Sequence, residues 1–487
     1  MSSHLSAPAL ARMLGPWQSG TGPAYRELAD VVRLLVLDGR VSLDCALPGE
    51  RPLAETLGIS RTTVTAAYAQ LREQGFLSSG QGAKGRTRLP QSVEAAAPGI
   101  NAPDGILDLA YAALPASGEQ VHRAFASALT ELPALLPGFG YEVQGLRALR
   151  EAIAERYTAA GVPTSAEEIL VTSGAQHALN VILRALVVRT GGKQDKVLID
   201  HPSYPNALDA IRAVGARAVP VALPGSSRNW DIDAWEGALE QHRPTIAYVI
   251  PDFHNPTGRL MPDQQRRRLV RAAARAGTVL IADETLRELN LDGLSSLPMA
   301  AFGRGVVSVG SLSKSHWGGL RTGWIHAEPE LLNRFAAARS SMDLGGPVME
   351  QLAAAHLVRE LDQLLPERLD ALRANRAALL DLLAAELPDW KTEMPDGGLS
   401  VWCRLPGPIS TALTVIAPEF GIRLAAGPRF GVGGSYESHL RIPFTLPPEK
   451  LRTAVLALRA AQERLSSAPK LRRNLDDSPT APVNAIA

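Results

Sequence analysis

The chain has 487 residues, of which 46% are hydrophobic and 20% charged, a balance that excludes a disordered or collagen-like chain and, at this length, a single small domain. Formal net charge is +1, so overall charge does not mark a nucleic-acid binder. No run of 18 apolar residues reads as a membrane span.

In chain order, Pro23 to Leu37 is predicted as an amphipathic helix, with Leu28, Val31, Val32, Leu35 and Val36 on one stripe. A second helix is predicted over Pro52 to Leu57, started by its proline and ended by Gly58. Ser60 caps a third, Arg61 to Gln74, whose Val64, Ala67, Tyr68 and Leu71 recur at i, i+3, i+4 and i+7. Gly75 terminates it. Phe76-Leu77-Ser78 is predicted as a strand. Gly80, Gly82 and Gly85, with Lys84, Arg86 and Arg88, are predicted as a basic hairpin tip. Residues 90–105 are rich in Pro, Gly and Ala without apolar periodicity, which predicts a linker. From 106 to 463, helical patterns alternate with short β-branched runs such as Lys196–Ile199, Thr245–Ile250, Thr278–Ala282 and Val306–Val309. Strands separated by helices predict parallel βαβ units, hence an α/β fold with a doubly wound sheet. Residues 464–487 are polar, contain Pro479 and Pro482, and are predicted as a disordered tail. Cys45 and Cys403 are too few and too far apart for a disulfide framework or a zinc site, so no metal is expected. The N-terminus lacks the apolar core of a signal peptide, and a cytoplasmic location is expected.

Residues 1–89 form the first predicted unit. Through residue 90 the chain carries ten Lys/Arg against seven Asp/Glu, so DNA affinity must come from where the charges sit. Two short helices joined at a glycine, the second led by Arg61-Thr62-Thr63, fit a helix-turn-helix whose second helix sets its N-terminal residues on base edges. The basic hairpin would act as a wing on phosphates or in the minor groove. The pattern alone is common, but its residues are specific. They read Leu47-Pro48-Gly49-Glu50-Arg51-Pro52-Leu53-Ala54, then Leu57-Gly58-Ile59-Ser60-Arg61-Thr62-Thr63-Val64, then Ala67-Tyr68-x-x-Leu71-x-x-x-Gly75-Phe76-Leu77. Over residues 23–88 this closely resembles the winged helix of GntR-family regulators. The resemblance implies that Arg51, Ser60, Arg61 and Thr63 contact DNA. Thr65 stands where some members carry a DNA-contacting arginine, so that contact is expected to be missing or weaker. A plain exposed charge at a helix start is the alternative reading of Arg51.

Five segments of the second unit hold complementary parts of one site. Val171-Thr172-Ser173-Gly174-Ala175-Gln176 precedes a predicted helix over His177–Val187, and a helix N-terminus suits a phosphate. Asp200-His201-Pro202-Ser203-Tyr204-Pro205 offers Tyr204 to stack on a flat ring. Asn255, in Asp252-Phe253-His254-Asn255-Pro256-Thr257-Gly258, can donate to a phenolate oxygen. Asp283 ends a predicted strand, where an ionised carboxylate can keep a pyridine nitrogen protonated. Lys314 sits in Ser311-Leu312-Ser313-Lys314 with Arg321 seven residues on. The amine can form a Schiff base with an aldehyde, and the hydroxyls and guanidinium can hold its phosphate. Alone, each segment has a plain alternative as a cap, a turn or a surface charge.

Their order and spacing over residues 106–463 resemble fold type I pyridoxal-phosphate (PLP) enzymes of the aspartate-aminotransferase class, with large and small subdomains. The resemblance implies PLP as cofactor, an internal aldimine at Lys314, and Asp283 on the pyridine nitrogen. It places Asn255 on the 3-hydroxyl and Tyr204 on the ring. Ser173, Gly174, Ala175, Gln176, Ser311 and Arg321 would surround the phosphate. Arg441, in His439-Leu440-Arg441-Ile442-Pro443-Phe444, matches the arginine that binds a substrate α-carboxylate. Tyr141, in Gly140-Tyr141-x-x-x-Gly145-Leu146, matches the tyrosine that reaches the phosphate of the partner subunit. Relatives usually carry a tyrosine two or three residues after the aspartate; here Thr285 and Leu286 stand there, which puts efficient proton transfer in doubt.

Winged helix, linker and aminotransferase-like domain, in that order, resemble the MocR subfamily of GntR-type transcriptional regulators. This implies a homodimer, head-to-tail, that binds operator DNA. An amine or amino-acid effector would displace Lys314 and alter DNA binding. A working aminotransferase with a DNA-docking module, and a DNA-binding scaffold without cofactor, are the alternatives.

Overall fold

The computed structural model describes residues 4–14, 17, 23–37, 41, 45–73, 76–78, 85–88, 105–187, 195–225 and 229–467. The N-terminal residues form helices α1 (Ala7–Leu14), α2 (Ala24–Leu37), α3 (Glu50–Leu57) and α4 (Arg61–Glu73). They share one core, built from Leu10, Leu28, Val32, Leu53, Val64 and Leu71, among others. The sequence reading missed α1, although Ala7, Leu10 and Leu14 at i, i+3 and i+7 are the buried side of that helix. α3 begins two residues before the expected Pro52. Gly49 is the extended residue that precedes it, and a proline in the first turn is tolerated because its N–H has no helical partner there. Gly58 ends α3 in the left-handed conformation at φ 67°, and its N–H donates to the Ala54 carbonyl.

The strand expected at Phe76–Ser78 reduces to one antiparallel bridge between Leu77 and Thr87, flanked by Ser78 N–H to Arg86 O and Arg88 N–H to Phe76 O. Gln74, Gly75, Gly80, Gly82, Lys84 and residues 90–104 lie outside the described residues.

The strands that follow are β1 (Leu107–Asp108), β2 (Ile169–Thr172), β3 (Lys196–His201), β4 (Arg217–Ala222), β5 (Ile246–Val249), β6 (Val279–Asp283), β7 (Val306–Ser311), β8 (Gly323–His326), β9 (Lys391–Thr392), β10 (Ser400–Arg404), β11 (Ile422–Arg423), β12 (Ala425–Ala426) and β13 (His439–Pro443). A seven-stranded sheet has the order β2-β8-β7-β6-β5-β3-β4. Strands β3 to β7 pair in parallel. Within this doubly wound sheet β8 is antiparallel to both neighbours. Only residues 312–322 join β7 to β8, too few for the helical crossover that a parallel return requires.

Both faces of this sheet are covered, which explains its near-continuous apolar runs. Along β5, Ile246 and Tyr248 enter one core while Ala247 and Val249 enter the other; Ile281 and Leu280 of β6 divide the same way. A second, antiparallel sheet of order β12-β13-β10-β9 packs with the helices Leu361–Glu386 and Pro448–Ser467. The last helix corrects the predicted tail. Leu458, Ala461 and Leu465 continue the buried stripe, so residues 464–467 are helical, and 468–487 lie outside the described residues. β1 pairs in parallel with β11 and so ties residues 107–108 to this smaller unit.

Candidate functional site

Parallel strands end on one side of a sheet. The segments after β3, β5, β6 and β7 therefore leave from the same edge, where ligands of open α/β sheets collect. They carry Tyr204, Asn255 and Lys314, and Asp283 ends β6 at the same edge.

Asp283, the last residue of β6, is buried, and its carboxylate is fully oriented by protein donors. Tyr248 Oη donates to Oδ2 at 2.6 Å; Thr285 donates to Oδ1 through its hydroxyl at 2.6 Å and its backbone N–H at 3.1 Å. Burial, with Asp283 adding, holds the Tyr248 phenol well above its usual range, so it stays a donor. Sequence reasoning missed Tyr248, which reads as a core strand residue. The available signal was that a buried phenolic tip requires a partner. Thr285, noted only as a departure, in fact buttresses the aspartate.

Lys314 follows β7 in a tight turn. Its side chain is half-buried, and Nζ donates to the Ala112 carbonyl at 2.7 Å. Burial, reinforced by positive Arg441 and opposed by Asp283, pushes the amine down to about 8. Arg441, on β13, is buried among Phe430, Asn255 and Ala110. Nη1 donates to Asn255 Oδ1 at 3.4 Å, Nη2 donates to the Ala110 carbonyl, and the guanidinium carbon lies 5.1 Å from the Phe430 ring centre. Burial pushes this group down to about 10; Tyr204 opposes the shift and Arg429 adds to it. Tyr204 Oη accepts from Asn206 Nδ2 at 2.9 Å, and burial, with Asp283 adding, pushes the phenol up to about 12. Lys314, Asp283, Arg441 and Tyr204 thus share one electrostatic neighbourhood.

A second cluster gathers at the start of the helix Ala175–Leu186. Gly174 stands before it at φ 97° and ψ 166°, a conformation essentially confined to glycine. A Cβ there would lie 3.0 Å from Arg321 Nη2, the atom that donates to Ser173 O at 2.7 Å. The Ser173 N–H donates to His177 Nδ1 at 3.0 Å, and Gln176 Nε2 to Asn206 O at 3.2 Å. Ser311 is buried at the end of β7, and its hydroxyl bonds Ser313 Oγ at 2.9 Å and Thr322 O at 3.0 Å. A guanidinium, hydroxyls and the helix N-terminus beside a side-chain-free glycine make a donor set for a phosphate dianion. With a depressed amine and an oriented carboxylate on the same edge, these residues fit pyridoxal phosphate. Tyr141 is exposed and stands on the surface of this single chain.

In the N-terminal unit, the Thr63 N–H donates to Ser60 Oγ at 3.1 Å, and the Ser60 hydroxyl also bonds those of Thr62 (2.7 Å) and Thr63 (2.8 Å). Arg51 and Arg61 are exposed; Arg51 Nε meets Glu55 at 3.0 Å, and Arg61 Nε lies 3.6 Å from Glu50. Thr65 Oγ1 donates to the same Glu50 at 2.8 Å, so Glu50, given no role in the sequence reading, orders the exposed start of α4.

Comparison with known proteins gives two family matches. Residues 139–458 match aminotransferase class I and II, and residues 24–84 match bacterial regulatory proteins of the gntR family. The HTH-type transcriptional regulator YdcR of Escherichia coli is 29% identical over 455 residues, covering 86% of this chain and 94% of that protein. A MocR regulatory protein of Rhizobium meliloti is 28% identical over 420 residues, covering 78% and 82%. The chain belongs to the MocR subfamily of GntR-type regulators. The aminotransferase part of this MocR-type chain is 32% identical over 331 residues to the 2-aminoadipate transaminase of Thermus thermophilus, covering 66% of the chain and 81% of that protein. The solved structure of α-aminoadipate aminotransferase LysN from Thermus thermophilus, complexed with N-(5'-phosphopyridoxyl)-L-leucine, superposes with TM-score 0.68 at 29% identity, covering 78% of this chain and 100% of that one. The MocR-type regulator is a DNA-binding protein whose larger part has the fold of PLP aminotransferases, and PLP is its cofactor. Among the described residues, no helix is long and apolar enough to cross a membrane.

Proposed function

We propose that this MocR-type regulator couples capture of an amine or amino-acid effector at Lys314 to its occupancy of operator DNA. The observation that carries the reading is the depressed, half-buried Lys314 amine, set between Asp283 and Arg441 on a chain that begins with a GntR-type helix-turn-helix. Bound pyridoxal phosphate supplies an aldehyde that condenses reversibly with amines and a ring that absorbs visible light. Around it, Lys314 presents the amine that an effector replaces. Asp283 holds the pyridine nitrogen, Asn255 the ring hydroxyl and Tyr204 the ring face. Ser173, Gly174, Ala175, Gln176, Ser311 and Arg321 hold the phosphate, and Arg441 takes the effector's carboxylate.

In this reading residues 1–89 bind DNA, with Arg51, Ser60, Arg61 and Thr63 at the interface; residues 106–463 sense, and 90–105 connect the two. A head-to-tail homodimer is part of it. Exposed Leu136, Phe139 and Tyr141 supply an apolar surface for a second copy, from which Tyr141 would reach the partner's phosphate. The effector shifts DNA occupancy only by the difference in its affinity for two states of the large unit.

The test is Lys314→Ala. It should abolish both the cofactor's effector-dependent spectral change and effector-dependent operator binding. Undiminished effector control in that variant would sink the reading. The 32% identity to a transaminase favours a second reading, an active aminotransferase. Rapid multiple turnover of an amino acid with a keto acid would establish it.

A further inference from the structure

Lys314 and Arg441 are both tied to one short segment. Lys314 Nζ donates to the Ala112 carbonyl at 2.7 Å, and Arg441 Nη2 donates to the Ala110 carbonyl. The segment begins at β1. Leu107 N–H donates to Gly421 O and Leu109 N–H to Arg423 O, both at 2.8 Å. Asp108 is ion-paired with Arg423, and its Oδ1 accepts from the Ala110 N–H at 2.8 Å. The Arg423 guanidinium carbon in turn lies 5.1 Å from the Tyr111 ring centre. The β1 ladder stops at Asp108, so the carbonyls of Ala110 and Ala112 are held by the site's own cations.

The guanidinium edge of Arg441 is only half used. Nε and Nη2 form the fork that receives a carboxylate side-on, and Nε is buried without a hydrogen-bond partner among the described residues. Nη2 is held by Ala110, a neutral acceptor offering one oxygen. A carboxylate offers two oxygens and a charge, so it satisfies Nε and outcompetes Ala110 at Nη2. A plain amine has nothing to offer that edge. It reaches the neighbourhood of Nζ and Ala112 O and leaves the Arg441–Ala110 bond intact.

We propose that residues 107–112 form a strap that competes with the effector for Arg441, so that the site answers to α-amino acids and not to amines lacking a carboxylate. The proposal rests on the reading that the effector is captured at Lys314. It also supplies a route for the response. Residue 107 lies two positions beyond the 90–105 linker, so freeing the strap changes the tether of the winged helix without requiring the seven-stranded sheet to rearrange.

The test uses the full-length protein loaded with PLP. A panel of L-amino acids is screened by the cofactor's visible spectrum. The first amino acid that changes it is matched with the amine lacking its carboxylate and the acid lacking its amine. Hydrogen exchange is then followed on peptides covering residues 105–112, with β5 and β6 peptides reporting that the fold is intact. The amino acid is expected to speed exchange at Leu107 and Leu109 about tenfold or more. The amine is expected to change the spectrum without freeing these amides, and the acid to do neither. Arg441→Gln should free the strap with no ligand present. If the amino acid changes the spectrum while the strap stays protected, or the amine frees it equally, the strap is refuted and capture at Lys314 stands. If no amino acid or amine changes the spectrum, the underlying reading fails with it.

Discussion

The depressed amine of Lys314 has a measurable consequence for cofactor capture. Only the neutral amine attacks an aldehyde. Burial first, and the Arg441 charge second, bring this group from 10.5 to about 8. That shift is worth about 3 kcal/mol in the balance between charged and neutral forms. At pH 7 about one Lys314 amine in ten is then neutral, against about one in three thousand for an ordinary lysine, a gain of about 300-fold. The sign follows directly. Capture should accelerate about tenfold per pH unit below about 8 and level off above it. The assay mixes cofactor-free protein with PLP and follows visible absorbance across that range. Each rate is divided by the rate constant of Nα-acetyl-lysine per unprotonated amine at the same pH, which cancels the titrations of the cofactor itself. Arg441→Gln removes the smaller of the two causes, so its inflection should move upward and remain below 10.5. A normalised inflection near 10.5 in the wild-type protein would refute the argument that burial prepares this amine.

Three other predictions test the scaffold. Arg266 is fully buried and donates to Asp252 Oδ1 at 2.7 Å as well as to the carbonyls of Met261, Pro251 and Leu297. Arg266→Leu removes the 2.7 Å partner of the buried Asp252 carboxylate, leaving it Arg287 Nη1 at 3.4 Å, and should cost about 3 kcal/mol, read as a shift of the denaturation midpoint; an unchanged midpoint would contradict it. Gly174→Ala forces a side chain into glycine-only backbone space, at a cost of about 1–3 kcal/mol. Because the new methyl would press on Arg321 Nη2, the variant should also bind PLP more weakly in a spectral titration, whereas wild-type affinity would remove Gly174 from the phosphate cradle. Ser60→Ala loses the cap on α4 and should lower the stability of the N-terminal unit by about 1 kcal/mol, measured by denaturation of the full chain. Operator binding should weaken with it, and a Thr replacement, which keeps the hydroxyl, should restore both.

Much of the fold was legible because it is local. The stripe of Val64, Ala67, Tyr68 and Leu71 is a helical period, and Ser60 is a cap whichever protein surrounds it. The runs at 196, 245, 278 and 306 read as covered strands because, apart from Lys196, Thr245, Thr278 and Ser308, they are apolar on both faces. Motifs at strand ends marked Asn255, Asp283, Lys314 and Arg321, since their chemistry is carried by residue type and spacing. What tertiary structure alone decided is who meets whom. Tyr248 looked like core until the β5–β6 pairing set its hydroxyl against Asp283. Thr285 looked like a missing tyrosine until its hydroxyl and N–H closed on the same carboxylate. The direction of β8 depended on how little chain links it to β7. The bonds from Lys314 and Arg441 to Ala112 and Ala110 span 202 and 331 residues of sequence, and they involve backbone carbonyls, which every residue has. No pattern of side chains can announce such a contact, because the groups that make it are the ones all sequences share.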